Sequence, residues 1–435
     1  MFILYSFLLT IGFLIYLPRF LFQPKYAAGF RERLGNLPPF DAERKPVVWL
    51  HCVSVGETQA ARPLVKELLE KFPEYKLVVS TTTRTGQNLA KEVFARQAAL
   101  VFYFPFDWKF SVRRALNKIK PDIILLMETE IWFNFLREAG KTSAKTVIVN
   151  GRLSEKSANR YKIIRRTMQR VLRYVDTALM QTNSDAQRLL SLGIRSTRVK
   201  VTGNLKFDQP LDKAESELTK KFRERFRISE NAPLIVAAST HSPEEELILK
   251  AFKNLPKNSG AKLPRLLIAP RHPERFDEVA GLIKKSGFQS VRRSEKETAR
   301  DAAAEIILLD SIGELRTVYP LAEIVFVGGS LIPHGGQNIL EPAAAQKAIV
   351  TGFYTANFKA VVEEFLRQNA LIQLPKLNEN KIPAKLSGIF GELLKDVKRR
   401  ETLAANAFDV MRENRGATHK TIEYLKPFLR SRAEV

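Results

Sequence analysis

From Val47 onward the chain alternates short, β-branched apolar runs with stretches of helical periodicity. Val47 to Val53, Leu77 to Ser80, Leu100 to Phe104, Ile123 to Met127, Thr146 to Val149 and Ala178 to Met180 read as strands. Runs this short and this apolar bury both faces, as strands of a parallel sheet do. Between them, segments such as Thr58 to Phe72 gather Ala61, Leu64, Val65, Leu68 and Leu69 on one helical face. After Val199 to Gly203, the charged stretch Leu211 to Arg227 has helical but no strand character and reads as an interdomain linker. A second series follows at Leu234 to Ser239, Leu266 to Ala269, Ile306 to Leu309, Ile324 to Val327 and Ile349 to Thr351. Strict alternation predicts two doubly wound α/β domains with ligands in a cleft at the carboxyl ends of both sheets. The expected boundaries are a leader over 1–22, a first domain over 23–205, a linker over 206–232 and a second domain over 233–435.

The leader follows neither period. Met1 to Pro18 has no charge and is apolar all round, slightly short of the ~20 residues that span a bilayer. It lacks the basic start and small-residue cleavage site of a signal peptide, so an uncleaved membrane anchor is expected. Arg19, Lys25, Arg31 and Arg33 follow it, and the positive-inside rule keeps the remainder in the cytoplasm.

Charge narrows the partners. Lys and Arg number 70 against 46 Asp and Glu, a net charge of +24, which favours anionic partners such as phospholipid, phosphorylated substrate or nucleic acid. Between Lys156 and Arg173 there are cations and no acid. At helical spacing Lys162, Arg166, Arg170 and Arg173 share a face, while Ile164, Met168, Val171 and Leu172 can turn inward. Downstream of an anchor, such a face suits anionic lipid as well as plain solvent. Only Tyr161 and Tyr174 interleave it, which argues against nucleic acid. The single Cys52 excludes an internal disulfide, and the five histidines show no metal-ligand spacing. Neither GxGxxG after the first strand of a half nor GxxxxGK[ST] occurs, which disfavours nicotinamide and P-loop enzymes.

Candidate chemistry collects at strand ends. Val327 to Pro342 sets the glycine pairs Gly328-Gly329 and Gly335-Gly336 between a strand and a helix, an arrangement suited to the phosphate of an activated donor. Ser54-Val55-Gly56-Glu57 follows the first strand. Its glutamate either caps the helix or takes a proton from an acceptor hydroxyl. Glu128 and Glu130, in Met127 to Trp132, could bind sugar hydroxyls or support that base. Ser80 to Gly86 adds hydroxyls and Arg84, a pattern that is more often an N-cap. In the second half, Ser239-Thr240-His241, Ala269 to Pro273 with Arg271, and Asp310 to Leu315 close three strands. Glu341, four residues beyond Gln337, could hold a ribose diol one turn into the helix.

In order, SVGE, STTTRTG, METEIW, NGRLSEKS, MQTNSDAQRLLSLG, VTGNLKFD, ASTHSPEE, APRHPERF, SIGEL, FVGGSLIPHGGQNILEPAA and TGFYTANF closely resemble the 3-deoxy-D-manno-octulosonic acid (Kdo) transferase family, from the anchor to about Phe358. The resemblance implies a GT-B fold at the cytoplasmic face of the bacterial inner membrane. It also implies inverting, metal-independent transfer of Kdo from the co-substrate CMP-Kdo to a lipid A precursor, with no cofactor and no nucleic acid. By resemblance Glu57 matches the family's base, and Glu128 and Glu130 its essential acidic motif. Ser239, Thr240, Arg271, Ile312, Gly313, Glu314, Asn338 and Glu341 fall on donor-nucleotide motifs, and Lys206 on the motif approaching the Kdo carboxylate. The Gly335-Gly336 helix start and Arg271 would stabilise the departing cytidylate, and Lys162, Arg166 and Arg170 would meet acceptor or membrane. The family usually carries Met at the position of Ile312 and His at that of Gln337. A sugar-nucleotide epimerase or UDP-sugar transferase of the same fold would not need the SVGE and METE pair.

Overall fold

The computed structural model describes residues 2–22, 28–208, 216–228, 233–255 and 264–429. Each half builds a parallel sheet of seven strands. In the first, β1 (Val47–Cys52), β2 (Lys76–Thr81), β3 (Ala98–Tyr103), β4 (Ile123–Met127), β5 (Lys145–Gly151), β6 (Thr177–Met180) and β7 (Val199–Val201) lie in the order β3-β2-β1-β4-β5-β6-β7. Val48 pairs with Leu77 on one side and Ile123 on the other, so the strand order reverses between β1 and β4. Every residue of β1 and β4 is buried, which accounts for a sequence that is apolar throughout except for His51.

The second sheet contains β8 (Leu234–Thr240), β9 (Arg265–Pro270), β10 (Ser290–Arg292), β11 (Ile306–Leu308), β12 (Ile324–Val327), β13 (Ala348–Thr351) and β14 (Ile372–Gln373) in the order β10-β11-β9-β8-β12-β13-β14. Here the reversal falls between β8 and β12. The sequence pattern misses β10 and β14 because they are edge strands of three and two residues, partly exposed, with no apolar run to mark them.

Contacts divide the chain into Met1–Asp208 with Asn414–Val435, and Gln209–Glu413. This departs from the expected second domain over 233–435, because the helix Ala417–Leu425 packs with the first unit. Its Ile422 and Leu425 join Leu64 and Leu68 of the helix Val55–Lys71 in one core. The expected linker also changes. Residues 209–215 and 229–232 lie outside the described residues, and between them the helix Glu217–Phe226 is an integral part of the second unit. It buries Phe222 and Phe226, and Arg225 Nε donates to Asp301 Oδ2 at 2.7 Å.

The leader forms one helix, Phe2–Phe22, yet no helix among the described residues is long and apolar enough to cross a membrane. One face of it docks on the first unit, an arrangement that a free anchor would not have. Tyr5 stacks on Phe133 with ring centroids 4.8 Å apart, Phe13 meets Trp108 edge-on at 4.8 Å, and Asn134 Nδ2 donates to Ser6 Oγ at 2.9 Å. Ile3, Leu4, Phe7, Leu8, Ile11, Leu14 and Ile15 point outward and are exposed.

The basic segment is two helices, Glu155–Ile163 and Arg165–Leu172, broken at Ile164. Met168, Val171 and Leu172 turn inward as expected. Ile164 does not, because it sits at the break and is exposed. Lys162, Arg166 and Arg170 are all exposed.

Candidate active site

In the first unit the two acidic motifs stand on either side of the strand-order reversal, Glu57 just after β1 and Glu128 just after β4. The crevice outside the carboxyl ends at such a point is where open α/β sheets take ligands. Glu57 is both cap and buried acid. Ser54 Oγ, at the N-cap, donates to Glu57 Oε1 at 2.9 Å and accepts from the Glu57 N–H, and Glu57 Oε2 accepts from Val53 N–H at 2.7 Å. These bonds hold the carboxyl in one orientation. Burial, and next the charge of Glu128, push its pKa up to about 8 despite the two hydrogen bonds that favour the carboxylate. Burial likewise raises Glu130 above the usual carboxylate range.

Glu128 sits at φ 54° and Asn150 at the end of β5 also at φ 54°, the left-handed region that L-residues seldom occupy. Strained backbone of this kind concentrates at functional sites. Thr129 Oγ1 donates to the carbonyl of Arg152 and accepts from its N–H at 3.0 Å, which clamps the loop after β4 to the loop after β5. Asn150 Oδ1 accepts from Leu205 N–H at 3.0 Å and so secures the single 3₁₀ turn Leu205–Phe207 that carries Lys206. Lys206 is desolvated, which lowers its pKa, while the negative charges of Glu128 and Glu57 act in the opposite sense. Glu57, Glu128, Glu130 and Lys206 therefore form one electrostatic cluster, with Lys206 in the first unit and not in a linker. The Thr83 hydroxyl accepts from Gly86 N–H as the N-cap of the following helix.

The second unit distributes its motif residues unevenly. Ser239, the residue before the last of β8, sits at φ 54°. Thr240 is fully buried and its hydroxyl donates to Glu245 Oε1 at 2.9 Å, so that hydroxyl is already engaged. Arg271 is exposed just beyond β9. In the loop after β11, Glu314 accepts from Arg293 Nη2 at 2.9 Å and from the Ser311 hydroxyl, which leaves Ile312 and Gly313 at the tip. Ile312 is 80% exposed.

The expected helix start at Gly335-Gly336 is corrected. The helix begins only at Leu340 and runs five residues, Leu340–Ala344. The glycines belong to the preceding loop, with φ of 93° and 76°. A Cβ on Gly335 would lie 2.7 Å from Asn357 Nδ2, so close packing as well as backbone conformation demands glycine there. Asn338 Oδ1 accepts from Leu340 N–H at 3.0 Å, and Glu341 is in the first turn instead of one turn in.

Nothing in the sequence pattern singles out Glu244. It is fully buried, and its carboxylate accepts from the N–H groups of Gly329, Ser330 and Leu331 at 2.7, 2.9 and 2.8 Å and from that of His241 at 3.0 Å. It thereby fixes the glycine loop from the start of the helix after β8, the strand beside β12. Among the described residues no group of His, Cys, Asp and Glu could hold a metal ion.

The family model described as 3-deoxy-D-manno-octulosonic-acid transferase (kdotransferase) matches residues 28–209, most of the first unit. Along both units, the chain is 35% identical to the 3-deoxy-D-manno-octulosonic acid transferase of Haemophilus influenzae over 409 residues, 94% of this chain and 93% of that one. The chain belongs to the Kdo transferase family. Members of this family are glycosyltransferases, and this chain is one. Solved structures are similar at the level of fold. A glycosyltransferase from Rickettsia africae, 16% identical, superimposes with a TM-score of 0.56 over 89% of this chain and 100% of its own. A UDP-GlcNAc 2-epimerase from Neisseria meningitidis, 15% identical, gives 0.57 over 88% and 100%. Because an epimerase shares the fold equally well, the architecture alone does not separate transfer from epimerisation. The distinction rests on family membership.

Proposed function

We propose that this Kdo transferase family member moves Kdo from CMP-Kdo to a lipid A precursor of the lipid IVA type in lipopolysaccharide biosynthesis, with inversion and without a metal. The observation that carries this reading is the buried, oriented carboxyl of Glu57 beside Glu128 and Lys206. Glu57 in its ionised form takes the proton from an acceptor hydroxyl as that oxygen attacks the anomeric carbon of Kdo. The bond from that carbon to the cytidylate oxygen breaks, and the electron pair leaves with the phosphate. Lys206 suits the Kdo carboxylate, and Glu128 and Glu130 suit hydroxyls near the base. In the second unit Ser239, Arg271, Ile312, Gly313, Asn338 and Glu341 are the nucleotide contacts, and Gly335 and Gly336 allow close backbone approach. Cytidylate leaves already carrying charge on phosphate oxygens, so the displacement requires no cofactor.

The same reading puts the enzyme at the cytoplasmic face of the bacterial inner membrane. The amino-terminal helix docks by one face and turns a continuous apolar face outward, as a helix lying in a lipid interface does. The exposed cations Lys162, Arg166 and Arg170 suit anionic headgroups and the phosphates of the acceptor. The test is incubation of the full chain with CMP-Kdo and a diphosphorylated tetraacyl disaccharide in detergent with a chelator present. Cytidylate release matched by addition of Kdo to the acceptor, with the inverted anomer by NMR, is the expected result. Transfer from UDP-sugars instead, or cytidylate release with unchanged acceptor, overturns it.

A further inference from the structure

Three of the five histidines, distant in sequence, meet in the second unit. His241 and His334 have ring centroids 4.2 Å apart and edge-on, and His241 and His272 lie 5.3 Å apart in the same way. They follow β8, β12 and β9, three adjacent strands, and β8 and β12 flank the reversal of strand order where such a sheet takes its ligand. His241 is buried, while His272 and His334 are exposed, so two rings meet solvent against a third that backs them. His334 is also part of the glycine loop, whose carbonyl at His334 accepts from Asn357 Nδ2 at 3.0 Å.

The hydrogen bonding of His241 determines what it can offer. Its Nδ1 lies 3.1 Å from the Ser239 carbonyl. A carbonyl only accepts, so Nδ1 carries the hydrogen and the neutral ring presents Nε2 solely as an acceptor. A second proton is needed before this ring can donate to an anion. The neighbouring acids are otherwise engaged. Glu244 is shared among four backbone N–H groups. Glu245 pairs with Arg275 at 2.7 and 3.2 Å and accepts from Thr240. Glu274 stands 3.6 Å from His272 Nδ1 at the outer edge, and Arg271 precedes that histidine. Burial, and next the adjoining His334 and His272 rings, hold the pKa of His241 down at about 4.

We propose that His241, His272 and His334 form a proton-coupled seat for the phosphate of the cytidine nucleotide, in which the arriving anion lets one imidazole of the trio take up a proton from solvent. This rests on the reading that the second unit binds cytidylate, and adds to it a recognition element and a linkage. The arriving negative charge offsets the desolvation and ring repulsion that keep the trio neutral, and the charged imidazole returns a donor to a phosphate oxygen. Affinity for phosphate then strengthens as pH falls toward neutrality, through the protein and not only through the ligand.

Calorimetric titration of cytidine 5′-monophosphate and of cytidine into the full chain near pH 7, in buffers of different ionisation heat, separates the possibilities. The monophosphate should bind with uptake of about 0.5–1 proton, and cytidine with none. His334→Gln, an exposed substitution, should weaken the monophosphate roughly tenfold, the scale of one hydrogen bond to a charged group, and reduce the proton uptake while leaving cytidine unchanged. His241→Gln should do the same. Monophosphate binding without proton uptake, uptake that persists in both variants, or equal weakening of both ligands overturns the seat and leaves the cytidylate reading standing. Failure of the wild-type chain to bind either ligand overturns both.

Discussion

Glu57→Gln separates the two jobs open to this carboxyl. Gln keeps the size and an oxygen to accept from Val53 N–H, so the helix stays capped, but it cannot take a proton. A general base contributes about 10²–10⁴-fold, and kcat should fall by that factor while cytidylate affinity, assigned to the second unit, stays unchanged. Stability carries an independent signature. The folded-state pKa lies near 8, above that of an unfolded glutamate, so between the two values the folded chain binds more protons. Stability therefore falls as pH rises from the ordinary carboxylate range through about 8 and levels above it. The displacement sets a ceiling of roughly 4–5 kcal/mol on the cost of ionising Glu57 in place. Gln does not carry that cost, so the thermal midpoint of the variant should exceed wild type at pH 9 and approach it at pH 5. In wild type, kcat/KM should climb with pH and level off near 8, as the free enzyme's base ionises. A loss of less than about tenfold, with no gain in midpoint at pH 9, would refute the base and leave Glu57 a helix cap.

Three further outcomes are expected. Replacing Ile3, Phe7 and Ile11 together by Ser should release the chain from phospholipid vesicles while shifting thermal stability little, since the altered face touches solvent; a large stability loss in calorimetry would count against an outward face. Replacing Lys162, Arg166 and Arg170 by Gln should weaken binding to anionic vesicles by up to about 1 kcal/mol per charge and flatten its salt dependence, as read by co-sedimentation. Glu341→Ala should weaken cytidylate binding by about 1.5–3 kcal/mol and 2′-deoxycytidylate binding by much less, and equal losses in calorimetry would remove Glu341 from the ribose.

What could be read from the sequence follows burial. β1, β4 and β12 are buried along their full length, and their apolar runs, broken only by His51 in β1, mark them almost to the residue. The edge strands β10 and β14 have no such constraint and left no pattern. The placement of Glu57 and Glu128 was legible because each follows a central strand, so chain order alone puts them at the carboxyl edge of the sheet. The link from Asn150 to Leu205 that holds Lys206 spans 55 positions, and those from Glu244 to the glycine loop span 85 to 87, so no local pattern could report either. The histidines were dismissed on spacing for the same reason, since the sheet and not the sequence brings them together. The amino-terminal helix was misjudged in a different way. Its Tyr5, Ser6, Thr10 and Phe13 lie in a run that reads as apolar all round, but they are the docking face, with Trp108 Nε1 donating to Thr10 Oγ1 at 3.0 Å.

The return of the chain to its first unit sets the order in which the protein can mature. Asp208, the last residue before the second unit, accepts from Gly416 N–H at 2.7 Å and from Thr418 N–H. During synthesis the helix that bears Glu57 emerges early, but the Ala417–Leu425 helix that covers Leu64 and Leu68 is made only after the second unit. The helix that carries Glu57 thus waits, with apolar surface uncovered, until the entire second unit has been translated. A fragment ending at residue 208 would contain every acid of the cluster yet lack the covering that seats it. Loss of the Ala417–Leu425 helix, far from any motif, would be felt at Glu57.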